Sequence, residues 1–323
     1  MRPHFRANHI LSTLLVLAVA FLAPALADAE APLTFSLKWG SAGSGPGQFD
    51  YPYGIAASPT GDIYVTDTSL NRTQQFSSSG VLLCTFGSRG SGDGQFNGFA
   101  DIAFGADNTG FASDNQNGRI QVIAPACTYA RQWSLSPNGP ARIEVDRLHG
   151  LVYATAGRWV FQFDTLGTYM GVWPWLNYSP TGPPIFSVGP SGKLYFPDPA
   201  NSKVRVFLPG GVFAYEFGEQ GGADGQISDP PGVTTDSNEN VYVVDSPYRI
   251  QKFTSTGTYL SSFGSEGSGD GQFEQISDMC TDAAGNFYLL EFTNHRVQKW
   301  TPSAQTASIR TSWGHLKTLY RTK

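Results

Sequence analysis

Acidic and basic side chains recur in pairs along the chain, and such pairs could act as general acids and bases. Each pair has an Asp or Glu followed four or five residues later by an Arg or Lys: Asp67/Arg72, Asp114/Arg119, Asp198/Lys203, Asp245/Arg249 and Glu291/Arg296. An active site needs such a pair once, whereas this arrangement occurs five times. We therefore interpret the pairs as partly exposed ion pairs that close one loop in each structural repeat.

The residue types in the sequence give little support for a metal-binding site. Calcium needs about six to eight oxygen ligands, and each Gly-Asp-Gly-Gln segment, such as 92–95, offers one carboxylate. We interpret these segments as tight turns. The histidines after residue 27 are His149, His295 and His315. The cysteines are Cys84, Cys127 and Cys280, which lie in different repeats and resemble small buried apolar residues. The sequence therefore predicts no metal centre, no cofactor and no catalytic residue set.

The strongest pattern is an internal repeat of 40 to 50 residues. Seven aromatic residues bound the units: Trp39, Phe86, Trp133, Trp173, Phe217, Phe263 and Trp313. In the first unit, short runs at 54–57, 62–66, 72–76 and 81–86 are separated by Gly, Pro, Asn, Asp and Ser, which predicts four strands. Six such units predict an all-β fold, a six-bladed β-propeller of four-stranded antiparallel blades.

The repeat also sets the expected domain boundaries. We expect one propeller domain over residues 28–323, with blades at approximately 50–86, 96–133, 140–173, 184–217, 230–263 and 275–300. Both 34–39 and 306–313 have the pattern of an outer strand. The chain therefore has seven candidate outer strands, one more than six blades need. The full Gly-rich linking loop follows Trp39, and none follows Trp313. We therefore expect 34–39 to complete blade six and to close the ring.

The repeat units resemble the NHL-repeat family. The resemblance lies in P-x-G-I-A, G-x-I-Y-V-x-D and N-R-x-Q-x-F between Pro52 and Phe76, and unit five matches well over 231–253. Units three and four are degenerate, since neither has the Gly-Gln-Phe loop and unit three has Ala156 in place of the Asp. The resemblance implies the six-bladed fold and is weak for function. Some enzymes similar to this family, the peptide-amidating lyases, use a histidine-ligated zinc at the ring centre, but no histidine here lies on a predicted innermost strand.

Residues 1–27 have the pattern of a signal peptide. Arg2 and Arg6 precede the apolar stretch 10–26, and the small residues at its end fit a cleavage site. Cleavage would remove two arginines and no acid, which makes the net charge of −5 more negative. An exported acidic chain is a poor nucleic-acid binder, and no later segment is long and apolar enough to span a bilayer. We expect an exported monomer, either periplasmic or extracellular.

The aligned units differ at the start of their innermost strands. The six residues there are Gly54, Asp101, Arg142, Ile185, Gly232 and Asp278. We expect them to ring the mouth of the central channel, with Glu144 two residues farther along its strand. The charges have two interpretations, which the sequence leaves open. Asp101 and Arg142 could form a salt bridge between neighbouring blades, or they could orient a ligand together with Asp278.

A second departure from the repeat is aromatic. Trp175 and Tyr178 lie where the Gly-rich loop between blades three and four should be, and Trp159 and Tyr248 belong to other loops on the same face. These rings could stack on sugars or anchor a protein, or they could fill the space left by two shortened blades. The opposite face is predicted to consist of short Ser, Thr, Gly and Pro turns that offer little to recognise.

Two classes of function remain open. The first is a binding or scaffold module that presents its loop face to a protein or glycan, and the absence of a convergent nucleophile, base or metal set favours it. The alternative is an extracytoplasmic enzyme of the lactonase or lyase type, with a metal or the carboxylates of Asp101, Glu144 and Asp278 at the channel mouth.

Overall fold

The computed structural model describes residues 32–125, 127–135, 139–174, 184–246 and 248–303. These residues form six sheets of four strands each, and consecutive strands within a sheet are antiparallel. One short 3-10 helix, Pro199–Asn201, interrupts the strands. Among the described residues, no helix is long and apolar enough to cross a membrane. The predicted all-β, six-bladed propeller is confirmed.

The strands of the first three blades follow each other from the channel outwards. The N-terminal strand β1 is Leu33–Trp39. Blade one contains β2 Pro52–Ala57, β3 Ile63–Asp67, β4 Arg72–Phe76 and β5 Leu82–Phe86. Blade two contains β6 Phe99–Phe104, β7 Gly110–Asp114, β8 Arg119–Ala124 and β9 Thr128–Ser134. Blade three contains β10 Arg142–Asp146, β11 Leu151–Ala156, β12 Trp159–Asp164 and β13 Tyr169–Pro174.

The remaining blades have the same order. Blade four contains β14 Ser187–Val188, β15 Leu194–Asp198, β16 Lys203–Leu208 and β17 Val212–Phe217. Blade five contains β18 Val233–Thr235, β19 Val241–Asp245, β20 Arg249–Phe253 and β21 Tyr259–Phe263. A parallel pair, β22 Ser265–Glu266 and β23 Gln272–Phe273, lies in the following loop. Blade six contains β24 Ile276–Thr281, β25 Phe287–Glu291 and β26 Arg296–Pro302.

The N-terminal strand closes the ring. Strand β1 pairs antiparallel with β26, so the sheet order of blade six is β1-β26-β25-β24. The innermost strands contact each other in the cycle β2, β6, β10, β14, β18, β24 and back to β2. The prediction that 34–39 completes blade six is therefore confirmed. The other candidate, 306–313, lies outside the described residues.

The core lies between neighbouring blades. Strand β3 is buried at every position, whereas the outer strand β5 alternates between half-buried and exposed residues, because only one of its faces meets the next blade. Trp39 shows how the chain ends are joined. Its ring lies 5.8 Å from Phe76 in blade one and 6.2 Å from Tyr288 in blade six.

A buried Gln on the third strand holds the Gly-rich loop in front of each of four blades. The Gln74 amide accepts the Gly47 N–H at 2.7 Å and donates to the Gln48 carbonyl at 2.8 Å. The same pair of bonds is made by Gln121, Gln251 and Gln298. Arg72 adds bonds to the carbonyls of Gly45 and Gln48. These loop carbonyls therefore have partners within the chain, in agreement with the interpretation of the segments as turns.

The repeated acids have structural partners. Three of the predicted pairs are ion pairs with N–O distances of 2.6, 2.7 and 2.5 Å: Asp114–Arg119, Asp245–Arg249 and Glu291–Arg296. In the other two blades the partners differ from the prediction. Asp67 accepts the backbone N–H of Asp50, and Asp198 lies 3.8 Å from Arg205 rather than pairing with Lys203. Because each acid contacts a neighbouring strand or loop, these residues stabilise the blades.

Candidate functional site

The innermost strands surround a central cavity of about 430 Å³. At one end the cavity reaches Asp101, Arg142 and Asp278, each of which is only 6% exposed. At the other end its lining includes the exposed Arg147 and four further exposed residues: Leu148, Pro190, Ser237 and Ala283. Those four follow the innermost strands, in the short turns that lead to the second strands. The cavity therefore opens on the turn face and is closed toward the loop face.

This orientation differs from the sequence-based expectation, which placed the open mouth on the loop face. The cause is the size and charge of the side chains at the start of the innermost strands. They extend toward neighbouring blades and fill the narrow end of the channel, whereas the residues of the turn face leave the other end open.

Arg142 bridges three blades at the closed end. Its Nη1 lies 3.2 Å from Asp278 Oδ2 in blade six, and its Nη2 donates to the Ser277 carbonyl at 2.7 Å. Nη1 also donates to the Tyr53 carbonyl in blade one at 3.3 Å, and the guanidinium lies 4.2 Å from the centre of the Tyr53 ring. The structure thus brings Arg142 and Asp278 together as an ion pair across the ring.

The two carboxylates at this end also bind backbone N–H groups of the innermost strands. Asp101 accepts the Ile143 N–H of the next blade at 3.1 Å, and Asp278 accepts the Ile55 N–H of blade one at 2.9 Å. These strands are the inner edges of their sheets, so a buried N–H there has no neighbouring strand to bind and is costly if left unpaired. The carboxylates of Asp101 and Asp278 accept the N–H groups that a further strand would otherwise bind.

The glycines at the equivalent positions make room for these contacts. A Cβ atom on Gly54 would lie 2.4 Å from Asp101 Oδ1, and one on Gly232 would lie 2.7 Å from the Ile185 Cβ. Gly232 and Ile185 also form a parallel β-bridge between blades five and four. All the aligned positions therefore belong to one structure, which we call the plug: Gly54, Asp101, Arg142, Ile185, Gly232 and Asp278.

The plug has unusual protonation properties. Burial raises the pKa of Asp101 to about 8, the nearby Asp278 carboxylate adds to the rise, and Arg142 opposes it. Burial also raises the pKa of Asp278, and the Arg142 charge opposes that rise. Near neutral pH the plug therefore favours a protonated Asp101 beside an Arg142–Asp278 ion pair.

Glu144 lines the cavity on the side of blade three, and the exposed Arg147 lies on the same side at the opening. Burial raises the pKa of the Glu144 carboxyl well above its ordinary value, Asp101 and Asp278 add to the rise, and Arg147 opposes it. Arg147 Nε donates to the Phe104 carbonyl at 2.9 Å, and its Nη2 donates to the Ala57 carbonyl at 2.8 Å. The Arg147 side chain therefore crosses part of the channel, from blade three to blades two and one.

Hydroxyl groups line the cavity on the side of blades four to six. Ser187 Oγ and Thr235 Oγ1 are 3.0 Å apart, and Thr281 Oγ1 donates to the Thr235 carbonyl at 2.7 Å. The largest apolar side chains of the lining are Phe104, Phe186 and Met279. The cavity thus combines apolar walls with a carboxyl, a guanidinium and several hydroxyls, which is the composition of a site for a small polar molecule.

Arg147 is the cavity residue that the sequence analysis missed. It lies five positions after Arg142, and the equivalent residues in the other units are small or Pro: Pro59, Ala106, Pro190, Ser237 and Ala283. A comparison of this column across the repeat would have singled out Arg147 as a departure. The sequence analysis compared only the start of the innermost strands, and this comparison singled out Asp101, Arg142, Asp278 and Glu144.

The predicted aromatic surface is only partly described. Trp159 is half-buried, and the Arg158 guanidinium lies 5.1 Å from the centre of its ring. Tyr248 is half-buried against the core between blades five and six. No ring contact joins Trp159 to Tyr248 in the part of the chain that the structure describes. Trp175 and Tyr178 lie outside the described residues, so a binding role for this surface stays a prediction.

The histidines occupy separate places. His149 Nδ1 lies 2.6 Å from the buried Asp146 Oδ2 on the turn face, His295 is in the loop between β25 and β26, and His315 is outside the described residues. Among residues 32–303, apart from the undescribed gaps, no three His, Cys, Asp or Glu side chains form a group that could hold a metal ion.

Solved structures share the fold of this chain. A Bacteroides thetaiotaomicron protein of unknown function has a TM-score of 0.66 at 17% identity, covering 84% of this chain and 76% of its own. A streptogramin B lyase has a TM-score of 0.55 at 16% identity, covering 84% and 98%. Virginiamycin B lyase from Staphylococcus aureus has 0.57 at 14% identity, covering 84% and 99%. No family model and no curated protein sequence matches the chain. These similarities show the propeller fold alone.

Proposed function

We propose that the protein is an exported, NHL-like propeller that binds a small polar ligand of the glycan class in its central cavity. The cavity itself carries this proposal. Its volume of about 430 Å³ lies within the range of about 300–1,000 Å³ that is usual for ligand pockets. Because the plug closes one end, a ligand that enters from the turn face would be enclosed on most sides.

The polar lining suits a ligand with many hydroxyl groups. Burial raises the pKa of the Glu144 carboxyl well above its ordinary value, and a carboxyl in its protonated form can both donate and accept a hydrogen bond. Arg147 contributes donors, and Thr235 and Ser187 contribute hydroxyls. The hydroxyls at the edge of a sugar ring can donate and accept hydrogen bonds. The apolar C–H groups on its faces would lie against apolar residues of the wall such as Phe186. This complementarity supports a glycan rather than an ion or a lipid.

The proposal is tested by calorimetric titration with a panel of monosaccharides and disaccharides. Ala283→Trp would place a large ring in the mouth of the cavity, and it should weaken the binding of any sugar found at least tenfold, or about 1.4 kcal/mol. Ala284 is a matched control, since it is exposed next to Ala283 but does not line the cavity. Ala284→Trp should leave the affinity unchanged.

Two results would contradict the proposal. If no sugar of the panel binds, the glycan class is wrong. If a sugar binds equally well to both tryptophan variants, the site lies elsewhere, and the loop face with Trp159, Trp175, Tyr178 and Tyr248 becomes the place for a glycan or protein partner.

A second candidate function is catalysis of the lactonase or lyase type. The observation in its favour is that burial raises the pKa of Asp101 to about 8 and also raises the pKa of Glu144 above its ordinary value, because carboxyls with raised pKa values in a cavity are candidates for general acids. Glu144 borders the open cavity and would be the proton donor. Incubation with lactones and with a streptogramin B, followed by mass spectrometry, tests this. Turnover that Glu144→Gln reduces by about a hundredfold would favour the enzyme.

Export and the lack of a nucleic-acid partner belong to the same proposal. They rest on the signal pattern of residues 1–27 and on the net charge of −5. N-terminal sequencing of the secreted or periplasmic protein should give a start at residue 28, and size-exclusion chromatography should give the mass of a monomer. An uncleaved chain retained in the cytoplasm would contradict the export proposal.

A further inference from the structure

Cys127 occupies a backbone position that glycine holds in other blades. It lies in the turn before the outer strand β9, with φ of 61°. The equivalent turn residues before the other outer strands are Gly80, Gly167, Gly211 and Gly257, with φ between 79° and 91°. A side chain is disfavoured in this left-handed region. A cysteine is therefore an unusual choice at this turn, and its surroundings show what it contacts.

The Cys127 side chain lies against blade one. Tyr64, Gln75 and Cys84 are consecutive cross-strand partners on strands β3, β4 and β5, so their side chains form a row on one face of the sheet. The Cys127 thiol lies 3.2 Å from Gln75 Oε1, and Gln75 is the cross-strand partner of Cys84. Both cysteines are free thiols in this structure. Two cysteines from neighbouring blades thus meet at one interface.

We propose that Cys84 and Cys127 form a disulfide bond that links blade one to blade two. The two S–H bonds break and one S–S bond forms, with the release of two protons and two electrons. The electrons pass to a disulfide oxidant, a small-molecule or protein disulfide, which is reduced to two thiols by thiol–disulfide exchange. An exported protein would meet such an oxidant in its compartment. The third cysteine, Cys280, lies in blade six and has no part in the bond.

The bond is expected to form while the blades assemble. In the folded, reduced protein, burial raises the pKa of the Cys127 thiol to about 12, and the contact with Cys84 adds to the rise. Little thiolate is then present for exchange. In the unfolded chain both thiols have ordinary pKa values and react freely. Oxidative refolding should therefore give the disulfide much faster than treatment of the folded, reduced protein with the same oxidant.

The test uses residues 28–323, refolded from the reduced and unfolded state with equal amounts of oxidised and reduced glutathione. After denaturation without reductant, the number of reactive thiols per chain should fall from three to one. Digestion with trypsin should link the peptides 73–89 and 120–131. Reduction should lower the melting temperature by several degrees, because the bond constrains the unfolded chain.

Two variants keep the proposal falsifiable. Cys280→Ala should leave no reactive thiol after oxidation, and Cys127→Gly, which restores the glycine of the repeat, should fold and leave two. Three reactive thiols in the oxidised wild type, or a link that involves the peptide 253–296, would overturn the proposal. These readouts do not depend on any ligand, so they are independent of the proposed glycan site.

Discussion

The Arg142 guanidinium forms an ion pair of 3.2 Å with Asp278 Oδ2, and this contact joins the innermost strand of blade three to that of blade six on the opposite side of the ring. Both side chains are buried. Most other contacts in the ring join neighbouring blades, apart from the bonds of Arg142 and Arg147 to carbonyls of blade one. The pair therefore adds a connection across the channel, at the end where the cavity is closed.

Loss of this connection should destabilise the fold strongly. Arg142→Met would leave the buried Asp278 carboxylate without its partner, and such a change typically costs about 3–5 kcal/mol. Arg89 is a suitable control because it is exposed, and Arg89→Met should stay within about 0.5 kcal/mol of the wild type. Urea denaturation followed by fluorescence measures both. Equal free energies of unfolding for the two variants would mean that the ion pair is not important for the ring.

The N-terminal strand should matter as much as the plug. Trp39 contacts Phe76 and Tyr288, so Trp39→Ala removes packing from both sides of the junction where the ring closes, at a cost of about 3 kcal/mol. Lys38, the exposed neighbour on the same strand, provides the control, since Lys38→Ala should cost less than about 1 kcal/mol. A melting curve that Trp39→Ala leaves unchanged would contradict a closing role for β1.

The contribution of Asp101 to the stability of the protein should fall as the pH rises from about 4 to about 8. A carboxyl whose pKa is higher in the folded chain than in the unfolded chain binds its proton more tightly when folded. Its stabilising contribution is therefore complete below the unfolded pKa and is lost as the pH rises through the folded value, which for Asp101 is about 8. The charges that face this group are Asp278, which raises its pKa, and Arg142, which lowers it.

Asp101→Asn isolates this contribution. The variant has no carboxyl to titrate, so its free energy of unfolding should decline less between about pH 4 and about pH 8 than that of the wild type. Asp93→Asn removes an exposed carboxyl and should leave the pH dependence as it is. Urea denaturation at several pH values gives the two slopes. Equal slopes for the wild type and Asp101→Asn would show that Asp101 stays ionised in the fold.

The sequence predicts the ring well, because repetition is a one-dimensional signal. Trp39 and Phe86 occupy equivalent positions in the repeat. Because a Gly-rich loop follows Trp39 and none follows Trp313, residues 34–39 could be assigned as the closing strand. The cavity was predicted less well. Alignment of the repeats puts Asp101, Arg142 and Asp278 at one height in the channel, but it does not tell how far each side chain reaches. For this reason the alignment could not show that Arg142 pairs with Asp278 of the opposite blade and not with Asp101 of the adjacent blade.

The reach of the side chains also explains why the sequence analysis placed the opening of the cavity at the wrong end. The predicted mouth contains long charged side chains, for which the sequence left both ligand binding and contacts between blades open. In the structure they bond to neighbouring innermost strands, as in the bond from the Ile143 N–H of blade three to Asp101 of blade two. The turn face looked featureless because most of the residues around the opening, such as Ser237 and Ala283, are small, and because the departure at Arg147 was missed. Small residues around a ring leave an opening, which is a property of the assembled blades and not of any one repeat.

Gly54 gives the sharpest test of the plug. A Cβ atom there would lie 2.4 Å from Asp101 Oδ1 and 3.0 Å from Thr66 Oγ1, so Gly54→Ala would push the Asp101 carboxylate away from the Ile143 N–H. Overpacking of this kind costs about 1–3 kcal/mol. Gly171 is the matched control, because it is also in a strand but has nothing within 4 Å of its added Cβ.

Gly171→Ala should therefore be neutral or stabilising by up to about 1 kcal/mol, since it only restricts the unfolded chain. The clash also predicts coupling between the two plug residues. Asp101→Ala leaves an N–H unpaired and is destabilising by itself, but in that background Gly54→Ala should cost clearly less than it does in the wild type. A double-mutant cycle measured by urea denaturation gives the coupling energy. If the two substitutions are simply additive, the carboxylate does not occupy the space above Gly54, and the plug is arranged differently.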